Sequence, residues 1–191
     1  LSFFSIEADY RTYFKLWHNY TFATRIAGGG SYGKNPQRFV IGGVGNWINV
    51  KYTNDQIPIE NAEDFTFLTA GIPLRGYIFN AKMGTKYFLV NNELRFPFFG
   101  YFAAGPLPVF WQSLTGVLFL DVGSAWNHNK DYQAFAKNLE GKTEMKDLLV
   151  GTGTGIRMFF LGFLVRFDVG WWFNLQGFSR PQYYISLGTD F

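Results

Sequence analysis

The sequence predicts an all-β protein, an antiparallel transmembrane β-barrel with about eight strands, and three observations predict it. Long segments alternate polar and apolar residues with a period of two. One face of each segment collects charge while the other collects apolar bulk. The 191 residues hold 23 Phe, 11 Tyr and 6 Trp beside 22 Gly. A period of two is the side-chain repeat of a strand, and aromatic, glycine-rich composition suits strands and membrane interfaces better than helices. The mean hydropathy of −0.03 agrees, because barrel strands show lipid only every second side chain.

The first strand is read over residues 5–15. Its odd positions run Ser, Glu, Asp, Arg, Tyr, Lys, and Phe4, Ile6, Ala8, Tyr10, Thr12, Phe14 and Leu16 fill the even ones. That length fits a tilted membrane-spanning strand. A tight His18-Asn19 turn leads into a second strand, with Tyr20, Phe22, Thr24 and Ile26 opposite Thr21, Ala23 and Arg25, so the two make a hairpin. Gly28-Gly29-Gly30-Ser31 reads as a flexible turn opening a connection over residues 28–37. Further strands are expected at residues 38–50, 86–96, 114–126, 149–158, 163–173 and 182–191, antiparallel because several of the turns are short. Residues 51–84, 98–112 and 127–147 connect them.

Residues 96–120 carry no charge, a length that raises a transmembrane helix. Pro97, Pro106 and Pro108, with Gly100 and Gly105, would break such a helix repeatedly. The run therefore reads as a hydrophobic connection at the membrane interface between two strands, with room for a short interfacial helix.

A soluble barrel of the lipocalin kind points apolar side chains inward. Here Phe163, Val165, Phe167, Val169 and Trp171 make one apolar row opposite Arg166 and Asp168. Glu7, Asp9, Arg11, Glu93, Arg95 and Arg157 fall on charged faces too. Enclosing such charges in a narrow soluble barrel would cost several kcal/mol for each one left unpaired, whereas lipid outside and water inside costs far less. In the 114–126 strand, Asp121 shares a face with Thr115, Val117 and Phe119, opposite a lipid row of Leu114, Leu118, Leu120 and Val122.

Other chemistry is weakly encoded. Cys is absent and the net charge of +3 has no dense basic run behind it, so neither thiolate chemistry nor a nucleic-acid partner is expected. Gly151-Thr152-Gly153-Thr154-Gly155 lacks the Lys-Ser/Thr and the helix of a phosphate loop. On a strand these glycines share a face with Arg157. His18 and His128 lie apart with no metal-ligand spacing. No catalytic site, cofactor or metal is expected. The opening Leu1-Ser2-Phe3-Phe4, without Met or a signal-peptide pattern, suggests a mature or partial chain.

Tyr183, Ile185, Leu187 and Phe191 share one face at the chain's end. This resembles the C-terminal β-signal of bacterial outer-membrane proteins, which assembly machinery recognises by strand addition. With Phe191 at the periplasmic rim, Leu161-Gly162 and residues 98–112 fall on the periplasmic side, and residues 51–84 and 127–147 fall outside.

Leu74-Arg75-Gly76-Tyr77, then Gly84-Thr85-Lys86-Tyr87, then Asn92-Glu93-Leu94-Arg95-Phe96-Pro97 resemble the BamA/TamA surface-antigen family, whose loop motif reads Val/Leu-Arg-Gly-Phe/Tyr. Phe119-Leu120-Asp121-Val122-Gly123-Ser124-Ala125-Trp126 and Leu187-Gly188-Thr189-Asp190-Phe191 resemble later strands of that family, so the likeness runs from Arg38 to the end. The resemblance implies a barrel of about sixteen strands of which residues 1–191 are the C-terminal half, with further strands and any periplasmic domain before Leu1. It also implies that the sixth outer loop folds into the lumen, where Arg75 meets an acidic wall residue: Asp121 first, Glu93 second. A guanidinium pairs with a carboxylate through two parallel bonds that Lys does not reproduce, and Gly76 lets the backbone pass close to the wall. The implied function is assisting insertion, assembly or translocation of proteins at the bacterial outer membrane. The implied partners are the lipid bilayer, client outer-membrane or secreted polypeptides, and periplasmic or lipoprotein accessory subunits. The alternative is a secretion pore, or a membrane anchor for a preceding enzyme or propeller domain. A closed eight-stranded barrel is a third reading, and it requires residues 5–17 to pair with 182–191.

Overall fold

The computed structural model describes residues 2–17, 19–51, 68–98, 114–160 and 162–188. Every regular element among them is a strand: β1 (Phe3–Lys15), β2 (Thr21–Gly33), β3 (Arg38–Ile41), β4 (Leu68–Ile72), β5 (Lys82–Gly84), β6 (Lys86–Pro97), β7 (Thr115–Trp126), β8 (Phe135–Lys137), β9 (Thr143–Met145), β10 (Leu149–Phe160), β11 (Phe163–Phe173) and β12 (Gln182–Leu187). Seven of them form one sheet in the order β1-β2-β6-β7-β10-β11-β12, each neighbouring pair antiparallel. β1 and β12 are the two end strands and do not pair with each other, so the sheet is not the closed eight-stranded barrel of the third reading.

The period of two sets which side chain faces which way. Along β7, Val117 and Asp121 are fully buried while Leu118 and Leu120 are 49% and 45% exposed. Along β12, Tyr184 and Ser186 are fully buried while Tyr183, Ile185 and Leu187 are exposed. A slip of one residue would exchange the two sets, so the pattern itself fixes the register. One face therefore presents an apolar surface suited to lipid, and the other, here called the inner face, carries the buried charges. β1, at the sheet's end, is exposed on both faces. Leu114 departs from its expected lipid row: it precedes β7, outside the strand's alternation, and is buried.

Residues 38–50 are not a membrane strand. Only Arg38–Ile41 is extended, and β3 joins a separate three-stranded sheet, parallel to β4 and antiparallel to β5. Phe39, Val40 and Ile41 are all fully buried, whereas a lipid-facing strand would expose every second one. Gly28-Gly29-Gly30-Ser31 is not a turn either. It lies inside β2, where Gly28, Gly29 and Gly30 pair with Ala8, Glu7 and Ile6 on one side and with Phe88, Tyr87 and Lys86 on the other. Two ladders hold these residues extended without any side-chain contribution.

With β3 removed, the sheet has seven strands rather than eight. The β1–β2 turn then lies at the same end as the β10–β11 turn at Gly162, the end of β6 and the start of β7. Residues 34–51, 68–85 and 127–148 emerge at the other end. The 127–148 connection contains the β8–β9 hairpin, which its polar composition hid. The ends of the uncharged 96–120 run belong to β6 and β7, while residues 99–113, His18, Leu161 and Phe191 lie outside the described residues.

Candidate functional site on the inner face

The segment after β4 is drawn onto the inner face by an apolar cluster. Phe39, Ile41 and Ile72 from the small sheet, and Leu74 just beyond it, pack with Ala27, Tyr87, Leu89 and Ala125 of the large one. Leu74 is fully buried. Burying such a side chain contributes roughly 1.5–3 kcal/mol, so the cluster helps to bring the loop to the wall. The residue after Leu74 then has nowhere to go but along that wall.

That residue is Arg75. Its Nε donates to Asp121 Oδ2 at 2.7 Å and its Nη2 to Asp121 Oδ1 at 2.8 Å, while its own backbone N–H donates to Asp121 Oδ2 at 3.0 Å. Nη1 donates to Glu93 Oε1. The guanidinium lies 3.9 Å from the centroid of the Phe119 ring, a cation–π placement that covers the face the carboxylates leave open. Arg75, Asp121 and Glu93 are all buried. Three charges this deep persist only because each is paired.

The network extends along the wall. Arg95 Nε donates to the other oxygen of Glu93 at 2.8 Å, and Arg157 lies between Glu93, 3.6 Å from Nη2, and Asp168, 2.7 Å from Nη1. A cavity of about 240 Å3 opens beside these groups, lined by Arg11, Arg25, Arg75, Glu93, Arg157 and Asp168 among others. A lining this charged suits water and not a small apolar ligand, against the lipocalin alternative.

Gly76 has φ +95, and a Cβ there would lie 2.7 Å from the Trp171 carbonyl oxygen. Gly151 is the reciprocal case, since its Cβ would fall 1.7 Å from the Arg75 carbonyl oxygen. Loop and wall touch backbone to backbone at both places, so only glycine fits. Tyr184 of β12 then ties the loop from the far side: its hydroxyl accepts from Gly76 N–H at 2.8 Å and donates to the Tyr77 carbonyl at 2.8 Å. The Tyr77 hydroxyl reaches the β10 backbone, accepting from Val150 N–H at 3.1 Å. Toward the loop end of the sheet, Lys82 Nζ meets Asp147 Oδ1 at 2.5 Å, and the Gln133 amide donates to Asp147 Oδ2 at 2.7 Å. Burial raises the Asp147 carboxyl, but these two bonds and the nearby Lys charges outweigh it and hold it below its ordinary 3.8.

The structure thus brings Arg75, Gly76, Tyr77, Asp121 and Glu93 together. Tyr183, Ile185 and Leu187 lie on the opposite, exposed face of β12, and Phe191 falls outside the described residues. Sequence reasoning missed Tyr184, Phe119 and Arg157 as members of the site. One signal for Tyr184 was available: it is the lone aromatic on the polar face of the final strand, between Gln182 and Ser186.

An open antiparallel sheet with an apolar outer face, paired charges on its inner face and a loop pinned against them is consistent with an outer-membrane β-barrel domain. The family model of the Omp85 superfamily domain matches residues 1–191, and the chain belongs to that superfamily, in keeping with its resemblance to the BamA/TamA family. Its place is the bacterial outer membrane, in a superfamily of assembly and transport proteins that are not enzymes. No curated protein and no solved structure matches the chain.

Proposed function

We propose that this domain assists the insertion, assembly or translocation of client polypeptides at the outer membrane, as the C-terminal half of a barrel of about sixteen strands. In that reading β1 continues into strands that precede Leu1, and β12 forms one side of the seam where the barrel's first and last strands meet. Residues 34–85 and 127–148 face outward, and the turns at residues 16–20 and 160–163 face the periplasm. Tyr183, Ile185, Leu187 and Phe191 form the β-signal for the domain's own assembly. Periplasmic or lipoprotein accessory subunits are partners that such a domain would use.

The observation that carries the reading is the buried Arg75 with its donor fork divided between Asp121 and Glu93. A domain that serves only as an anchor has no need to bury three charges of an inward loop, an arrangement that apolar packing would match or better in stability. A loop held across the inner wall also obstructs a permanently open secretion pore. As the seam's inner support, the Arg75 loop sets the position of β12 through Tyr184.

The test is depletion of the protein followed by complementation with Arg75→Ala. The reading expects the variant to assemble into the membrane while folded client barrels fall in abundance. Full client levels with the variant, or with no protein at all, would leave the pore or anchor as the better account.

A further inference from the structure

Along β6, Tyr87, Leu89, Asn91 and Glu93 turn inward and are buried, so Lys86, Phe88, Val90, Asn92 and Leu94 share the outer face. Lys86 stands at the outer end of the strand, within reach of water. Asn92 does not. It lies six residues from Lys86 and five from Pro97, near the middle of the apolar band of about 25 Å that a membrane barrel presents to lipid.

The neighbours of Asn92 make it part of a patch. Thr24 on β2 pairs with Asn92 on one side and with Thr12 of β1 on the other, and all three side chains point outward and are half-buried. Exposed apolar side chains of Tyr10, Ile26 and Leu120 surround them. Thr24 Oγ1 donates to Asn92 Oδ1 at 3.0 Å. That bond uses one lone pair of the carboxamide and leaves its two N–H donors and its second lone pair. No other hydrogen bond engages the Asn92 side chain among the described residues. Thr152 and Thr154, outward hydroxyls of β10, show the local remedy: they donate to the carbonyls of Phe119 and Val117 at 2.9 and 3.0 Å. Asn92 is left with donors that acyl chains cannot accept, which costs free energy in hydrocarbon. β2 and β6 each pair along both edges, so the patch belongs to the wall and not to a sheet end.

We propose that Thr12, Thr24 and Asn92 are the centre of a contact with a second copy of this chain, side by side in the membrane. Copies inserted with their loops pointing the same way are related by a two-fold axis along the membrane normal. Under that axis residues meet at equal depth, so a carboxamide midway across the membrane meets its own counterpart. The group is self-complementary: each Nδ2 donates to the other copy's Oδ1, and the outstanding donors are met on both sides. A different partner would need a polar group at that same depth, whereas a second copy supplies it by symmetry. Polar side chains bonded across the interface hold membrane segments together, because apolar contact alone gains little over contact with lipid. This inference goes beyond the proposed function and needs only an outer face that meets lipid; a pore or an anchor would pair in the same way.

The test is crosslinking of the full-length protein in native outer membranes, in a Cys-free background such as this sequence provides. Leu120→Cys, which pairs with Asn92 across β7, should give a dimer with a short bis-maleimide. Val169→Cys, outward on β11 and three strands further along the sheet from β6, should give several-fold less. Adding Asn92→Leu to Leu120→Cys should lower the dimer several-fold while the barrel remains folded by gel mobility, since leucine suits the lipid face. Thr24→Val, which removes the hydroxyl that orients the carboxamide, should act in the same direction. A dimer from Leu120→Cys no greater than that from Val169→Cys overturns the proposal, as does a dimer that neither Asn92→Leu nor Thr24→Val diminishes. A crosslinked band whose mass is not twice that of the chain assigns the patch to another partner and overturns it as well.

Discussion

Arg75 commits its donor fork to two carboxylates from two strands, and the consequence is a sharp dependence on that one side chain. Arg75→Ala strands Asp121 without its counter-ion while Glu93 keeps Arg95 and Arg157, a loss on the order of 3–5 kcal/mol for a buried pair broken on one side. The folded barrel should then unfold at a distinctly lower temperature when its mobility is followed by gel electrophoresis with stepwise heating. Arg75→Lys should recover little of this, because an ammonium cannot supply the parallel pair to Asp121; recovery to the unsubstituted temperature would show that charge alone matters. Asp147 behaves differently, being held below its ordinary 3.8 mainly by Lys82 and the Gln133 amide. A lowered folded value means that its contribution is complete above 3.8 and is lost as pH falls through the folded value. Hydrogen exchange across residues 129–148, corrected for intrinsic rate, should therefore be as protected at pH 5 as at neutrality and should lose protection only on strong acidification. Asp147→Asn should lack that transition.

At the scale of elements, the strands with clean alternation were legible in the sequence: β1, β6, β7, β10, β11 and β12 each announce their two faces. β3 was not, because a short segment buried on both sides is as apolar as a membrane strand, and alternation is the signal that it lacks. Gly28-Gly29-Gly30 misled for the opposite reason, since its extended state is imposed by neighbours on both sides and not by its own side chains. Asp121 and Glu93 could be named from the face they share and from the family likeness. Phe119 and Arg157 could not, because their roles depend on contacts between segments far apart in sequence, and Tyr184 offered only its place as the lone aromatic on the polar face of β12. The glycines opposite the loop provide the element-scale prediction. Gly151→Ala puts a methyl group where the Arg75 carbonyl lies and should lower the heat-modification temperature, by the 1–3 kcal/mol typical of overpacking or by more. Gly177→Ala, where a Cβ meets nothing within 4 Å, is the matched control and should leave the temperature unchanged.

For the whole molecule, the seven-stranded sheet with β1 and β12 at opposite ends matters most. A small self-closing barrel would pair those two strands, whereas the proposed larger barrel keeps them apart. Cysteines at Thr12 and Ser186, with neighbouring registers, should fail to crosslink in native membranes, because five strands lie between them in the sheet order. Efficient crosslinking would mean that the sheet closes on itself and would remove the seam on which the proposed function depends.

The central claim is that the arginine loop is folded inward from the outer side and held there by Arg75. Its most direct measurement is labelling of single cysteines by a membrane-impermeant thiol reagent added to intact cells, starting from a sequence with no Cys. Leu139→Cys, at the exposed tip of the outer hairpin, should label at once. Leu16→Cys, at the periplasmic turn, should not label. Leu74→Cys, fully buried beside Arg75, should stay unlabelled until Arg75→Ala is added and should then label. Rapid labelling of Leu74→Cys with Arg75 intact, or no labelling after its removal, would contradict the account.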